Sequence, residues 1–322
     1  MPRKKNWRRW VAIGTLAAII LIAIAASLSI IGAGTGNAAI GNAENPAKPT
    51  IVVSFNPIYY LVRPIVGNSV NIQQIIAPGM EPHDYEPTPQ DVYNLSTGKV
   101  FFYDGPSLEN WAVSLTQSTN ENILLVPLID SINTSQLGND TSITVSDPHF
   151  WLDPALMPSV VEQIKNTMIG IDPSQAANYT ANANAFIAQL DTLNAAYKAG
   201  LAHCRSRTIV DSHAFLGYLA ESYNLTELPV GSENPDAEVS AQHVSQVISN
   251  ATADRAHAIF QESADPTVAV DQSIAQAING TIYGIYTMEI LTPQQIAGGA
   301  NYTSLMYANL RTLEEGLGCT PS

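Results

Sequence analysis

Three histidines in this chain sit in loops whose residue types suit metal chemistry. His83 lies in Gly79-Met80-Glu81-Pro82-His83-Asp84-Tyr85-Glu86-Pro87-Thr88-Pro89, where the prolines forbid helix or continued sheet. His149 lies in Asp147-Pro148-His149-Phe150-Trp151-Leu152-Asp153-Pro154, and His213 in Val210-Asp211-Ser212-His213-Ala214-Phe215. Neutral imidazole is the common ligand of borderline cations, and three of them select Zn, Mn, Fe, Co or Cu over Ca or Mg. The histidines are far apart in sequence, unlike a His-Glu-x-x-His motif, and any one alone is more often a surface or capping residue. Their shared Pro/Asp-marked setting is what groups them into one expected site. A carboxylate should supply a fourth ligand. Glu289, just past an apolar strand, is the best placed, with Glu262, Glu233 or water as the alternatives. Each of these glutamates could equally be an exposed charge. His203, His243 and His257 read as solvent-facing or capping residues.

The elements that must position these loops alternate. Ile51–Ser54, Val70–Ala77, Val100–Tyr103 and Ile123–Leu128 read as strands, with helices over 57–66, 90–97 and 108–117. Residues 130–147 are polar and aperiodic, a surface loop leading to His149. A helical stretch begins at Pro154, and Asp172-Pro173-Ser174 looks like a helix start with Asp172 able to cap. From there to about Leu201, Phe186, Leu190, Leu193 and Tyr197 recur at helical spacing, a helix long enough to span a domain. Strand–helix alternation then restarts, with strands at 208–210, 228–230, 258–260 and 282–286 and helices at 214–223, 240–251, 267–278 and 302–316. The expected fold class is α/β, with two parallel-type lobes joined by one long helix. The expected organisation is 1–33 signal or transmembrane anchor, 34–50 flexible linker, 51–171 first lobe, 172–203 long helix and 204–322 second lobe. Ligands in open α/β sheets bind beyond strand ends where strand order switches, and the histidine loops fall at such places.

The N-terminus points outward. A basic cluster, Arg3 to Arg9, precedes an uncharged run from Val11 to about Gly34, long enough to cross a bilayer at about 20 residues per span. An uncleaved anchor is expected over a cleaved signal, and either exports the remainder of the chain. From residue 51 on, Lys and Arg number 14 − 6 = 8 and Asp and Glu 28 − 1 = 27, so that portion carries about −19 and argues against nucleic acid as partner. The only cysteines, Cys204 and Cys319, form an even pair in a compartment where disulfides persist; the alternative is two separate thiols. Glycosylation sequons begin at Asn94, Asn133, Asn139, Asn178, Asn224, Asn250, Asn279 and Asn301, enough to expect a glycosylated surface.

Taken together and in order, Pro82–Pro89, Asp147–Pro154 and Asp211-Ser212-His213-Ala214-Phe215-Leu216-Gly217-Tyr218-Leu219 resemble the solute-binding proteins of zinc and manganese ABC importers. Weaker echoes are Glu238-Val239-Ser240, Ile259-Phe260-Gln261-Glu262 and Tyr302–Leu310, so the resemblance covers roughly Pro49 to Leu317. It implies a rigid linker helix and a metal held in the cleft between lobes, with His83 and His149 from the first and His213 from the second. It also implies delivery to a membrane permease, a monomer and no enzymatic activity. Two departures stand out. Met288, beside Glu289, occupies a position where some relatives have Asp, and residues 130–147 lack the histidine-rich loop of many zinc-type members.

The expected function is therefore extracellular capture of a divalent transition metal, zinc first and manganese next. Asp and backbone acceptors should hold the second ring nitrogens and fix the tautomers. Two rivals remain. A zinc hydrolase could use Glu81, Glu86 or Asp211 as general base, and a metal-binding surface adhesin would share fold and site.

Overall fold

The computed structural model describes residues 48–132, 147–263 and 269–320. The apolar run at 11–34, most of the linker, the 133–146 part of the polar loop and the sequons at Asn133 and Asn139 lie outside them. Among the described residues no helix is long and apolar enough to cross a membrane.

Two α/β lobes repeat one plan. In the first, β1 (Thr50–Val53), β2 (Asn71–Gln74), β3 (Val100–Tyr103) and β4 (Leu124–Pro127) form a parallel sheet in the order β2-β1-β3-β4. Helices α1 (Asn56–Val66), α2 (Pro89–Thr97) and α3 (Ala112–Thr119) connect them. After α4 (Met157–Ile171) and α5 (Ala176–Gly200), the second lobe continues with β5 (Thr208–Asp211), β6 (Thr226–Pro229), β7 (Ala258–Glu262) and β8 (Thr281–Ile285), in the order β6-β5-β7-β8. Its helices are α6 (Gly217–Ser222), α7 (Ala241–Ala253), α8 (Ala269–Ala277), α9 (Pro293–Ala297) and α10 (Tyr302–Leu317). In each sheet the order reverses on either side of the first strand, which puts a switch point beside β1 and beside β5.

The 25 residues of α5 span about 37 Å at 1.5 Å each. Its first half belongs to the first lobe, where Asn182 Nδ2 donates to the Ile65 carbonyl at 2.9 Å and the Tyr179 and Ser69 hydroxyls meet at 2.9 Å. Its second half belongs to the other, where the Tyr197 hydroxyl donates to the Met306 carbonyl at 2.7 Å. Phe186, Leu190, Leu193 and Tyr197, at the spacing read from sequence, are buried together with Tyr179 in a core continuous through both lobes. A smaller apolar cluster, including Val210, Val247 and Ile274, is confined to the second lobe.

Several boundaries differ from the sequence reading. The third helix starts at Ala112 rather than Leu108, after a turn in which Glu109 accepts from the Asp104 and Gly105 N–H groups at 3.3 and 3.1 Å. The helix after His213 starts only at Gly217, and the Leu216 N–H before it donates to the Glu227 carboxylate at 2.7 Å. Asp153 accepts from the Ala155 N–H, and α4 begins at Met157. Asp172 holds the N-cap position of a 3-10 turn that leads into α5, with its carboxylate accepting from the Ser174 hydroxyl rather than from a backbone N–H. The ladder of β2 is four residues long, although the Ile75 and Ile76 N–H groups continue it by bonding to Val53 and Ser54.

Cys204 and Cys319 are disulfide-bonded, tying the end of α10 to the chain just after α5. The sequons at Asn178, Asn224, Asn279 and Asn301 are exposed. The bridge closes a sequence separation of 115, so Cys204→Ser/Cys319→Ser should lower stability by about 2–5 kcal/mol. Urea denaturation should show a lower midpoint with a native far-UV spectrum retained before the transition.

Candidate metal centre

Each histidine is placed by local chemistry at the C-terminal edge of a sheet. The His83 loop leaves β2 through Gly79, at φ +88°, and its far end is stapled by the capping box of α2. There Asp91 accepts from the Thr88 N–H at 2.7 Å and from the Tyr85 hydroxyl at 2.7 Å. The Glu81 carboxylate accepts from the His83 N–H at 3.0 Å. In the Asp-Pro-His turn, one carboxylate oxygen of Asp147 lies 2.9 Å from both the backbone nitrogen and the Nδ1 of His149. With Nδ1–H donating to Asp147, Nε2 of His149 carries the free lone pair. His213 follows β5, beside a close backbone crossing: Gly231 N–H donates to the Ser212 carbonyl at 2.9 Å, and a Cβ on Gly231 would meet that oxygen at 3.1 Å.

Glu289 is placed by contacts distant in sequence. The segment after β8 is held on three sides. Trp151 Nε1 donates to the Thr287 carbonyl at 2.8 Å, the Thr287 hydroxyl donates to Glu262, and Asn56 Nδ2 donates to the Glu289 carbonyl at 3.1 Å. Between them Met288 is fully buried at φ +69°, a left-handed conformation that costs a non-glycine residue roughly 1–3 kcal/mol. That turn carries the Glu289 side chain to 3.3 Å from His83 Nε2 and 3.8 Å from His149 Nε2.

Nitrogens of His83, His149 and His213 all lie within 4.8 Å of one another. The Nε2 atoms of His149 and His213 are buried without a hydrogen-bond partner, while Nε2 of His83 and Oε1 of Glu289 face only each other, at 3.3 Å. An unsatisfied buried polar atom costs about 1–3 kcal/mol, and a cation placed among the four atoms can serve all of them. Glu262, the first alternative ligand, is occupied in holding Thr287 and thereby supports the Glu289 turn. Glu233 sits in the loop after β6, outside the cluster formed by the three imidazoles. His203, His243 and His257 are exposed, with His243 Nε2 and His257 Nδ1 near the backbone carbonyls of Pro229 and Ile278.

The electrostatics favour a dication. Burial alone would push the Glu289 carboxyl up, but the three imidazoles outweigh it and draw the group down to about 2. Burial, then the neighbouring His149, pushes His213 down to about 3, leaving it neutral and able to ligate. Burial also opposes charge on His149, yet the Asp147 hydrogen bond and the Asp147, Glu289 and Glu227 charges raise it overall. Behind these stand further acids. Asp104, at the end of β3, is fully buried and held well above the carboxylate range by burial and by Glu109, Asp147 and Glu289. Burial and Glu227 do the same to Asp211. Sequence reading found the histidines and the Asp147 type of partner. It missed Asn56 and Trp151, which act through main-chain contacts with no motif, and Glu227, which meets Asp147 only across the tertiary fold.

Residues 51–316 match the family profile described as the periplasmic component A of a zinc-uptake complex, ZnuA. The chain is 28% identical over 280 residues to the zinc-binding lipoprotein AdcA of Streptococcus pneumoniae, covering 83% of this chain and 56% of that protein, so it spans little more than half of AdcA. It is 27% identical over 310 residues to the high-affinity zinc uptake system protein ZnuA of Bacillus subtilis, covering 92% and 97% of the two chains. Among solved structures, the Zn(II)-bound ZnuA-like domain of Streptococcus pneumoniae AdcA superimposes with a TM-score of 0.71 at 26% identity, over 84% of this chain and 99% of that one. The metal-dependent lipoprotein YcdH of Bacillus subtilis gives 0.71 at 27%, over 84% and 99%.

In the metal-free protein, His213 and Glu289 act on stability with the same sign. Both bind protons more readily unfolded, so each removes stability as pH falls, His213 between 6.5 and about 3 and Glu289 between 4.5 and about 2. The buried acids Asp104, Asp211, Glu109 and Asp153 act oppositely, losing stability as pH rises through their raised values. His213→Gln should therefore flatten the acid limb of the stability profile relative to wild type, measured by urea midpoints from pH 7 to 4.

Proposed function

Because this chain belongs to the family of the periplasmic zinc-uptake complex component A, we propose that it captures a zinc ion between its lobes outside the cytoplasmic membrane and delivers it to an ABC permease. The observation that carries this reading is the meeting of four buried ligand atoms, Nε2 of His83, His149 and His213 and Oε1 of Glu289, of which those of His149 and His213 have no hydrogen-bond partner. Three neutral nitrogens and one carboxylate make a tetrahedral donor set suited to zinc. They also leave it one net negative charge, so a bound dication is only partly neutralised and the acids behind it complete the balance. Manganese is the secondary cargo of this reading.

Capture here is ligand exchange. The ion sheds water as each imidazole lone pair takes its place, and Asp147 keeps the His149 ring in the ligating tautomer. Loading releases the proton that His149 holds more tightly than an ordinary histidine. The two lobes are tied by α5 and by direct bonds, Trp151 to Thr287, Tyr302 to the Trp151 carbonyl at 2.7 Å, and Tyr218 to the Asp147 carbonyl at 3.0 Å. Delivery therefore proceeds by a small shift of the loops and lobes rather than a wide hinge opening. The hydrolase reading lacks support in the donor set, since a fourth protein ligand fills the position a catalytic zinc keeps for water. We read the chain as a non-enzymatic, monomeric carrier.

Three measurements bear on this. The purified exported portion, offered Zn, Mn and Fe together, should retain one zinc per chain, and His149→Ala should lose it; wild-type protein without stoichiometric metal overturns the reading. Asp147→Asn should keep the ligands but weaken zinc affinity by roughly 10–100-fold. Affinity should fall as pH drops through the raised value of His149, approaching tenfold per pH unit for each proton displaced.

A further inference from the structure

The proposed ligands are sealed from solvent. The side chains of His83, His149 and Glu289 are 7%, 0% and 2% exposed, and His213 as a residue is 2% exposed. An ion therefore needs a way in. A cleft of about 480 Å³ along α1 and α5 touches none of the four residues. A cavity of about 280 Å³ in the second lobe does, because His213 forms part of its wall, together with Ser212, Gly231, Pro235, Ala237 and Val239.

The segment 231–239 forms one side of this cavity. It leaves the end of β6, which pairs with β5, so it lies at the same sheet edge as His213. Two backbone bonds fasten it there, Gly231 N–H to the Ser212 carbonyl and Ala214 N–H to the Ser232 carbonyl at 3.0 Å. Pro235, Ala237 and Val239 line the cavity, and Asp236 to Glu238 are exposed. Glu233 adds a third carboxylate, and no Lys or Arg occurs between His213 and Asp254. His213, in the wall, has its Nε2 buried without a hydrogen-bond partner, and the same wall carries the buried Asp271.

We propose that this cavity is the route by which the hydrated dication reaches the site, with Glu233, Asp236 and Glu238 concentrating it at the outer end and His213 as the first ligand it meets. The proposal rests on the zinc-capture reading. A low-dielectric cavity rimmed by one sign of charge focuses its field outward and speeds association, by about 10- to 1,000-fold in favourable cases.

The test is stopped-flow zinc association with the full exported portion, competed against a fluorescent chelator. Glu233→Gln/Asp236→Asn/Glu238→Gln should bind zinc about tenfold more slowly at low ionic strength. The gap should close toward 1 M salt, where the screening length falls to about 3 Å. A control with the same loss of charge at remote sites, Glu121→Gln/Asp191→Asn/Glu315→Gln, should bind at close to the wild-type rate. If the segment variant binds as fast as wild type, or the control is slowed equally, the route is wrong. A larger slowing from Glu86→Gln, on the His83 loop, would also overturn it by placing access on the first lobe. One zinc per chain at equilibrium in every variant would leave the capture reading standing through such a failure. Wild-type protein without stoichiometric zinc would overturn both.

Discussion

The structure depends on an unfavourable arrangement, three imidazole nitrogens and a carboxylate oxygen buried together with no hydrogen-bond partners from outside the group. Such a cluster persists only because the surrounding scaffold over-determines it. Each of the four side chains hangs from a different loop, and each loop is fixed by bonds made well away from the donor atoms. The capping box of α2 holds the His83 loop, the Asp147 turn holds His149, the Gly231 crossing holds the segment after His213, and Trp151 with Asn56 holds Glu289. The stability given up at the centre is available to a bound ion, which is what makes a preorganised site bind tightly.

The same contacts tie the two lobes together. Trp151 is the pivot. It packs edge-on against Phe55 at 5.1 Å, donates to the Thr287 carbonyl of the second lobe, and accepts at its own carbonyl from Tyr302. Its neighbour two residues back is His149. Movement between lobes is therefore coupled directly to the placement of a ligand, and a small displacement suffices to alter the donor geometry. A long helix with a continuous buried face reinforces this, since bending it would open the core along its whole length.

Charge is organised in layers around the centre. The imidazoles draw the Glu289 carboxyl down, Asp147 polarises His149, and a further rank of buried carboxyls is held well above the carboxylate range by burial and by neighbouring acids. This arrangement accommodates an incoming dication without burying a matching set of full negative charges beforehand, which would destabilise the metal-free protein.

What the amino-acid sequence determined alone was local. Strand–loop–helix alternation, the long α5 and the Pro-marked histidine loops were legible because they arise from chain neighbours within one or two turns. Even the disulfide was foreshadowed by the simple count of two cysteines. The starts of α3, α4 and α6 fall later than the hydrophobic pattern places them, after turns in which carboxylates from the same turn or from another strand accept from backbone N–H groups. The choice among Glu289, Glu262 and Glu233 was beyond any local signal. The left-handed turn at Met288, in a segment held by Trp151, Glu262 and Asn56 from distant parts of the chain, is what brings Glu289 rather than the other two beside His83 and His149. Which donor atoms meet is a property of long-range register, and only the packed fold sets that register.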